Sequence, residues 1–135
     1  MPEKTYLGSP LRSWIFLGVL LGTIAWYKTF TTVKFEMESY GAFRYEIHGK
    51  VQGVYFRKHT AATAKELGLV GWVMNTAQGT VVGEAQGKLS ELAKLRSWLK
   101  TTGSPKSKIQ KAVFTEERAD LVEGDLTFTT FDIRK

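Results

Sequence analysis

The apolar residues of this chain change their period repeatedly between residues 43 and 99, and that alternation limits the folds open to it. Phe43, Tyr45 and Ile47 alternate with Arg44, Glu46 and His48, the period of two that marks a strand with one buried face. Within ten residues the period lengthens. Phe56, Thr60, Thr63, Ala64 and Leu67 share one helical face, and Gly68 stands where a helix would stop. Val70 to Thr76 is a short apolar run fit for a buried strand. Ala77-Gln78-Gly79 supplies turn chemistry, and Thr80 to Gln86 reads as the partner strand of a hairpin. A second helix carries Leu89, Leu92, Leu95 and Leu99 at helical spacing, with Ser90 as candidate N-cap and Gly103 and Pro105 to end it. Ile109 to Thr115 and Leu126 to Ile133 complete the strands. Helices interleaved with strands in this order predict an α+β sandwich, with both helices on one face of a mixed sheet.

Composition narrows the chemistry. The 135 residues suit about one domain. With no cysteine, the chain has no disulfide, thiolate nucleophile, iron–sulfur cluster or cysteine-ligated zinc. Two histidines, His48 and His59, are too few for a zinc site without carboxylate ligands. A net charge of +6 favours anionic partners without saying which.

The first 39 residues read as an extension and residues 40–135 as the domain. Within the extension, residues 13–27 (SWIFLGVLLGTIAWY) carry no charge, and Trp14, Trp26 and Tyr27 stand at the ends. Three readings compete. A membrane-anchoring helix fits the interfacial aromatics, although a spanning helix usually takes about 20 apolar residues. A signal-peptide core fits the length, and Thr23-Ile24-Ala25 loosely resembles a cleavage site. The third reading is a buried helix. The basic residues on the two flanks are too balanced to set an orientation.

The connection from the first strand to the first helix is the most informative stretch: Gly49-Lys50-Val51-Gln52-Gly53-Val54, then Tyr55-Phe56-Arg57. A glycine-bracketed turn feeding a helix N-terminus is able to aim several backbone N–H groups at one anion, and the helix end adds positive potential. Arg57 falls in the first helical turn, where its planar fork suits phosphate or carboxylate. An ordinary structural turn with a solvated arginine produces the same pattern, so both readings stand at this point.

Two segments together are more specific than either alone. Gly49–Arg57 resembles the G-x-V-Q-G-V-x-F-R segment of the acylphosphatase family, and Gly71-Trp72-Val73-Met74-Asn75 resembles its G-W-V-x-N segment. Gly103-Ser104-Pro105 looks like a family feature as well. The resemblance covers Tyr40 to Lys135. It implies a ferredoxin-like βαββαβ sandwich, here with an extra C-terminal strand; the hydrophobic N-terminal helix expected before it departs from the family pattern. The implied activity is metal- and cofactor-free hydrolysis of the carboxyl-phosphate bond of acyl phosphates. By the same resemblance, loop residues Gly49, Lys50, Val51, Gln52, Gly53 and Val54 cradle the phosphate, Arg57 binds it, and Asn75 orients the attacking water.

Such a lean site suits the chemistry. The leaving carboxylate, with a pKa near ~4, departs without a general acid. Holding the phosphoryl group and placing a water in line are the remaining tasks. His48 and His59 are expected to be structural or solvent-facing, Glu116 and Glu117 to form a solvated face, and Trp72 to be a core or wall residue. An RNA-recognition motif shares this architecture, but Tyr55 and Phe56 lie at a loop-to-helix junction instead of on a strand, so no nucleic acid is expected. A domain that binds phosphate-bearing ligands without turnover is the remaining rival. The expected partners are an acyl phosphate, inorganic phosphate as product and competitive ligand, and a membrane through residues 13–27. A monomer is expected, with its catalytic domain in the cytoplasm or, on the signal-peptide reading, secreted.

Overall fold

The computed structural model describes residues 38–135. The segment 13–27 lies outside the described residues, together with the anchor, signal and helix readings that rest on it. Among the described residues no helix is long and apolar enough to cross a membrane.

Strand β1 (Tyr40–Lys50) leads through a short loop to helix α1 (Phe56–Glu66), which returns the chain to β2 (Val70–Asn75). A hairpin joins β2 to β3 (Val81–Lys88). Helix α2 (Leu89–Ser97), extended by a π-helical turn over Trp98–Thr102, leads to β4 (Lys108–Leu121) and finally to β5 (Phe131–Arg134). The sheet order is β4-β1-β3-β2-β5. β5 pairs parallel to β2, and the other neighbours are antiparallel. This is the expected βαββαβ sandwich with one added edge strand.

The period-two pattern decides which face is covered. Phe43, Tyr45 and Ile47 are buried with Phe56, Ala64, Leu95 and Leu99 in one cluster, so both helices pack on that face. Arg44, Glu46 and Glu84 point from the opposite face. The buried Tyr45 hydroxyl donates to the Trp72 carbonyl at 3.1 Å, and burial pushes its pKa up.

Several expectations need correction. Ser90 is not the N-cap of α2: that position is Lys88, with extended backbone and no side-chain cap. The chain passes from β3 into the helix without a loop, and the Leu89 amide is satisfied by the Ser39 carbonyl at 2.9 Å. The strand expected over Ile109–Thr115 continues to Leu121, because the first half of β1 also pairs with it. The strand expected over Leu126–Ile133 shrinks to Phe131–Arg134. There the side chain of buried Gln86 substitutes for a ladder, its Oε1 accepting from the amides of Thr127 at 2.9 Å and Phe128 at 3.4 Å. Glu116 and Glu117 lie exposed on β4, as expected, paired with Arg44 and Arg96.

Candidate active site

β1 and β2 each run antiparallel to β3, and β5 runs parallel to β2, so these three strands end at one edge of the sheet. α1 begins at the same edge. Ligands in open sheets gather at such carboxyl ends. A cleft of about 550 Å³ opens there, and its walls include Val51, Gly53, Arg57 and Asn75.

Two glycines shape the loop for different reasons. Gly49 has φ 127°, and a Cβ on it would lie 2.1 Å from the Lys108 carbonyl oxygen. It lets β4 approach the end of β1. Gly53 has φ 74° and nothing within 4 Å of where a Cβ would stand, so it leaves bare backbone facing open space. Gly49→Ala is therefore expected to cost about 3 kcal/mol of stability by clash and strain together. Gly53→Ala should cost about 1–2 kcal/mol, from strain alone. Urea midpoints of the two variants check this, and equal losses would contradict the separation of roles.

Gln52 ties the loop to the rest of the site. Its Nε2 donates to the carbonyls of Thr76 at 2.9 Å and Thr80 at 2.8 Å, both in the β2–β3 turn that follows Asn75. Thr80 Oγ1 in turn donates to Glu46 Oε2 at 2.9 Å. The loop and the turn are thus held as one unit.

Helix α1 presents its N-terminus with no side-chain cap and no acid in its first turn, so its end amides keep their positive potential. Arg57 sits in that turn. Its Nη1 makes a 3.5 Å contact with the Arg134 carbonyl, at the far edge of hydrogen-bond range. Among the described residues no carboxylate pairs with it. Asn75 comes from β2: Val73 faces the core, and two residues on the same face is presented again, now at the cleft. Its Oδ1 is buried and has no hydrogen-bond partner among the described residues. A buried acceptor is costly while it stays unpaired.

The cleft therefore combines bare loop backbone, a helix N-terminus, a guanidinium and an unpartnered amide oxygen. Its described walls carry Lys58 and Lys135 and no Asp or Glu side chain. Such walls suit an anion. Among the described residues no cluster of three or more His, Asp or Glu is placed to hold a metal ion.

Of the loop residues expected at the site, Val51 and Gly53 line this cleft and Gly49, Lys50, Gln52 and Val54 are not among its lining residues; Arg57 and Asn75 both line it, from different elements. The histidines do not line it. His48 stands on the open sheet face with Nε2 3.3 Å from Glu46 Oε1, and His59 is exposed on α1. Trp72 is half-buried on the open face, with the Arg134 guanidinium 4.4 Å over its ring. Tyr55, Lys58, Ile133 and Lys135 line the cleft without having been expected there. The exposed loop position of Tyr55 was a usable signal, whereas nothing local marks Ile133.

The family model described as Acylphosphatase matches residues 43–133. Human Acylphosphatase-1 is 55% identical over 91 residues, spanning 67% of this chain and 89% of that protein. Rat Acylphosphatase-2 is 46% identical over 90 residues, spanning 67% and 90%. Among solved structures, the acylphosphatase from Bacillus subtilis superposes with a TM-score of 0.61 at 32% identity, covering 70% of this chain and 99% of that one. The acylphosphatase from Coxiella burnetii gives 0.62 at 30% identity, covering 71% and 94%.

Proposed function

We infer the work of individual residues from one premise: the chain belongs to the acylphosphatase family and hydrolyses acyl phosphates to a carboxylate and inorganic phosphate. The backbone amides of Gly49, Lys50, Val51, Gln52, Gly53 and Val54 cradle the phosphoryl oxygens, assisted by the N-terminus of α1. Arg57 binds two of those oxygens with its fork and neutralises charge as it spreads over them. Asn75 holds the attacking water with its side-chain amide, in line with the leaving oxygen. The new bond joins water oxygen to phosphorus as the bond to the acyl oxygen breaks. The water proton passes to the phosphate, the nearest base, and the carboxylate leaves unassisted because its pKa is near ~4.

The observation that supports this reading is that Arg57, with no carboxylate paired to it among the described residues, lines the same cleft as Asn75 and the loop residues Val51 and Gly53. The test is turnover of a simple acyl phosphate with and without a strong chelator. We expect full hydrolysis in both. A metal requirement would overturn the mechanism, and binding without turnover would favour the binding-only rival. The cleft is built from one chain, which supports a monomer as the working unit. Sedimentation of the active enzyme as a dimer would refute that.

Residues 13–27 are proposed as a membrane anchor, because fifteen uncharged residues end in interfacial aromatics. The Bacillus subtilis relative is covered almost whole by 70% of this chain, so the acylphosphatase fold needs no such segment. Deleting residues 1–37 should release the protein from membranes while retaining activity. Membrane retention of the shortened chain, or a full chain that washes off in high salt, would remove the anchor role.

A further inference from the structure

Three large apolar side chains remain exposed among the described residues, and two of them, Tyr55 and Ile133, line this one cleft. Their positions have separate causes. Tyr55 is the N-cap of α1 with φ 58° and ψ 27°, a left-handed conformation that a bulky aromatic residue rarely adopts. Its neighbours Val54 and Phe56 are both buried, so the strained backbone turns the ring outward, leaving it 74% exposed. Strain of this kind persists where the surrounding structure over-determines it, and it clusters at ligand sites. The Lys58 ammonium lies 5.9 Å from the centre of the ring. Ile133 pairs with Val73 in the β2–β5 ladder and follows the buried Phe131 on the same face. It lies where the core gives way to the cleft and is 48% exposed.

We propose that Tyr55 and Ile133 form an apolar lip that selects acyl phosphates with an aromatic or branched aliphatic acyl group over small ones such as acetyl phosphate. This rests on the reading that the loop and Arg57 hold the phosphoryl group. That group is held through its own oxygens, so the acyl group is the part of the substrate left to meet the lip. The cleft is far larger than a phosphoryl group and lies within the ~300–1,000 Å³ usual for small-molecule sites. Stacking on a tyrosine ring and burial against an isoleucine reward an apolar acyl group and give acetyl little. The lip acts away from the reacting atoms and binds ground state and transition state alike, so it sets KM more than kcat.

The experiment compares benzoyl phosphate with acetyl phosphate in the full chain and in Tyr55→Asn, Tyr55→Phe and Ile133→Ser. Asparagine tolerates left-handed backbone and removes the ring; phenylalanine keeps the ring and removes the hydroxyl. In Tyr55→Asn the ratio of kcat/KM for benzoyl to that for acetyl should fall about tenfold, with KM for benzoyl carrying the change. Ile133→Ser should shift the ratio the same way by a smaller factor, and Tyr55→Phe should retain it. A parallel loss on both substrates in Tyr55→Asn, or an unchanged ratio in both Tyr55→Asn and Ile133→Ser, overturns the lip. Failure of the underlying phosphate reading shows elsewhere, as unchanged inhibition by inorganic phosphate in Arg57→Ala.

Discussion

Arg57→Ala is expected to lower kcat/KM on any acyl phosphate by about a thousandfold. It should also weaken inhibition by inorganic phosphate by about a hundredfold, since two charge-assisted hydrogen bonds disappear from ground and transition state together. Among the described residues its one side-chain hydrogen bond is the long one to the Arg134 carbonyl, so the thermal midpoint should move little. Arg57→Lys keeps the charge and loses the fork, and it should recover only part of the loss. Steady-state kinetics with phosphate as competitor decide the matter. Wild-type phosphate affinity in Arg57→Ala would show that the guanidinium does not hold the anion.

Asn75→Ala should separate turnover from binding. We expect kcat to fall by about 10²–10³-fold, with phosphate inhibition within a few-fold of the wild type, because the amide is assigned to the water and not to the anion. Stability provides an independent readout. Deleting an acceptor that is buried without a partner should leave the urea midpoint unchanged or slightly raised. A structural asparagine would behave the opposite way, losing stability with activity. If phosphate affinity collapses along with kcat, Asn75 is an anion ligand and the water is placed by something else.

How much of this site was legible in advance differs from residue to residue. Arg57 was readable because the strand ends and the helix begins within a few residues, which places it in the first turn whatever the rest of the fold does. Asn75 was readable as a strand end, and the period of two puts it on the same face as Val73. Their convergence was not readable from period alone. It came from the resemblance, which carries the geometry of a whole fold in two short segments. Gln52 belonged to the loop on any reading, yet nothing in its neighbours shows that its side chain reaches the carbonyls of Thr76 and Thr80.

The sequence by itself determined the local pieces of this protein: the type of each element, the face each one buries, the glycine-bracketed loop and the residues that begin α1. Those follow from the burial of side chains two to four positions apart, which the chain cannot avoid once one face is covered. Tertiary structure alone decided how the pieces meet. Gln86 holds residues 127 and 128 in place of a strand ladder. β5 docks parallel to β2 and brings Ile133 beside the cleft. Asn75 comes to line the same cleft as Arg57. Each of these depends on contacts between segments tens of residues apart. The entropy of closing such loops changes slowly with length, so many pairings are nearly equal until side-chain packing selects one, and that selection involves all the elements at once.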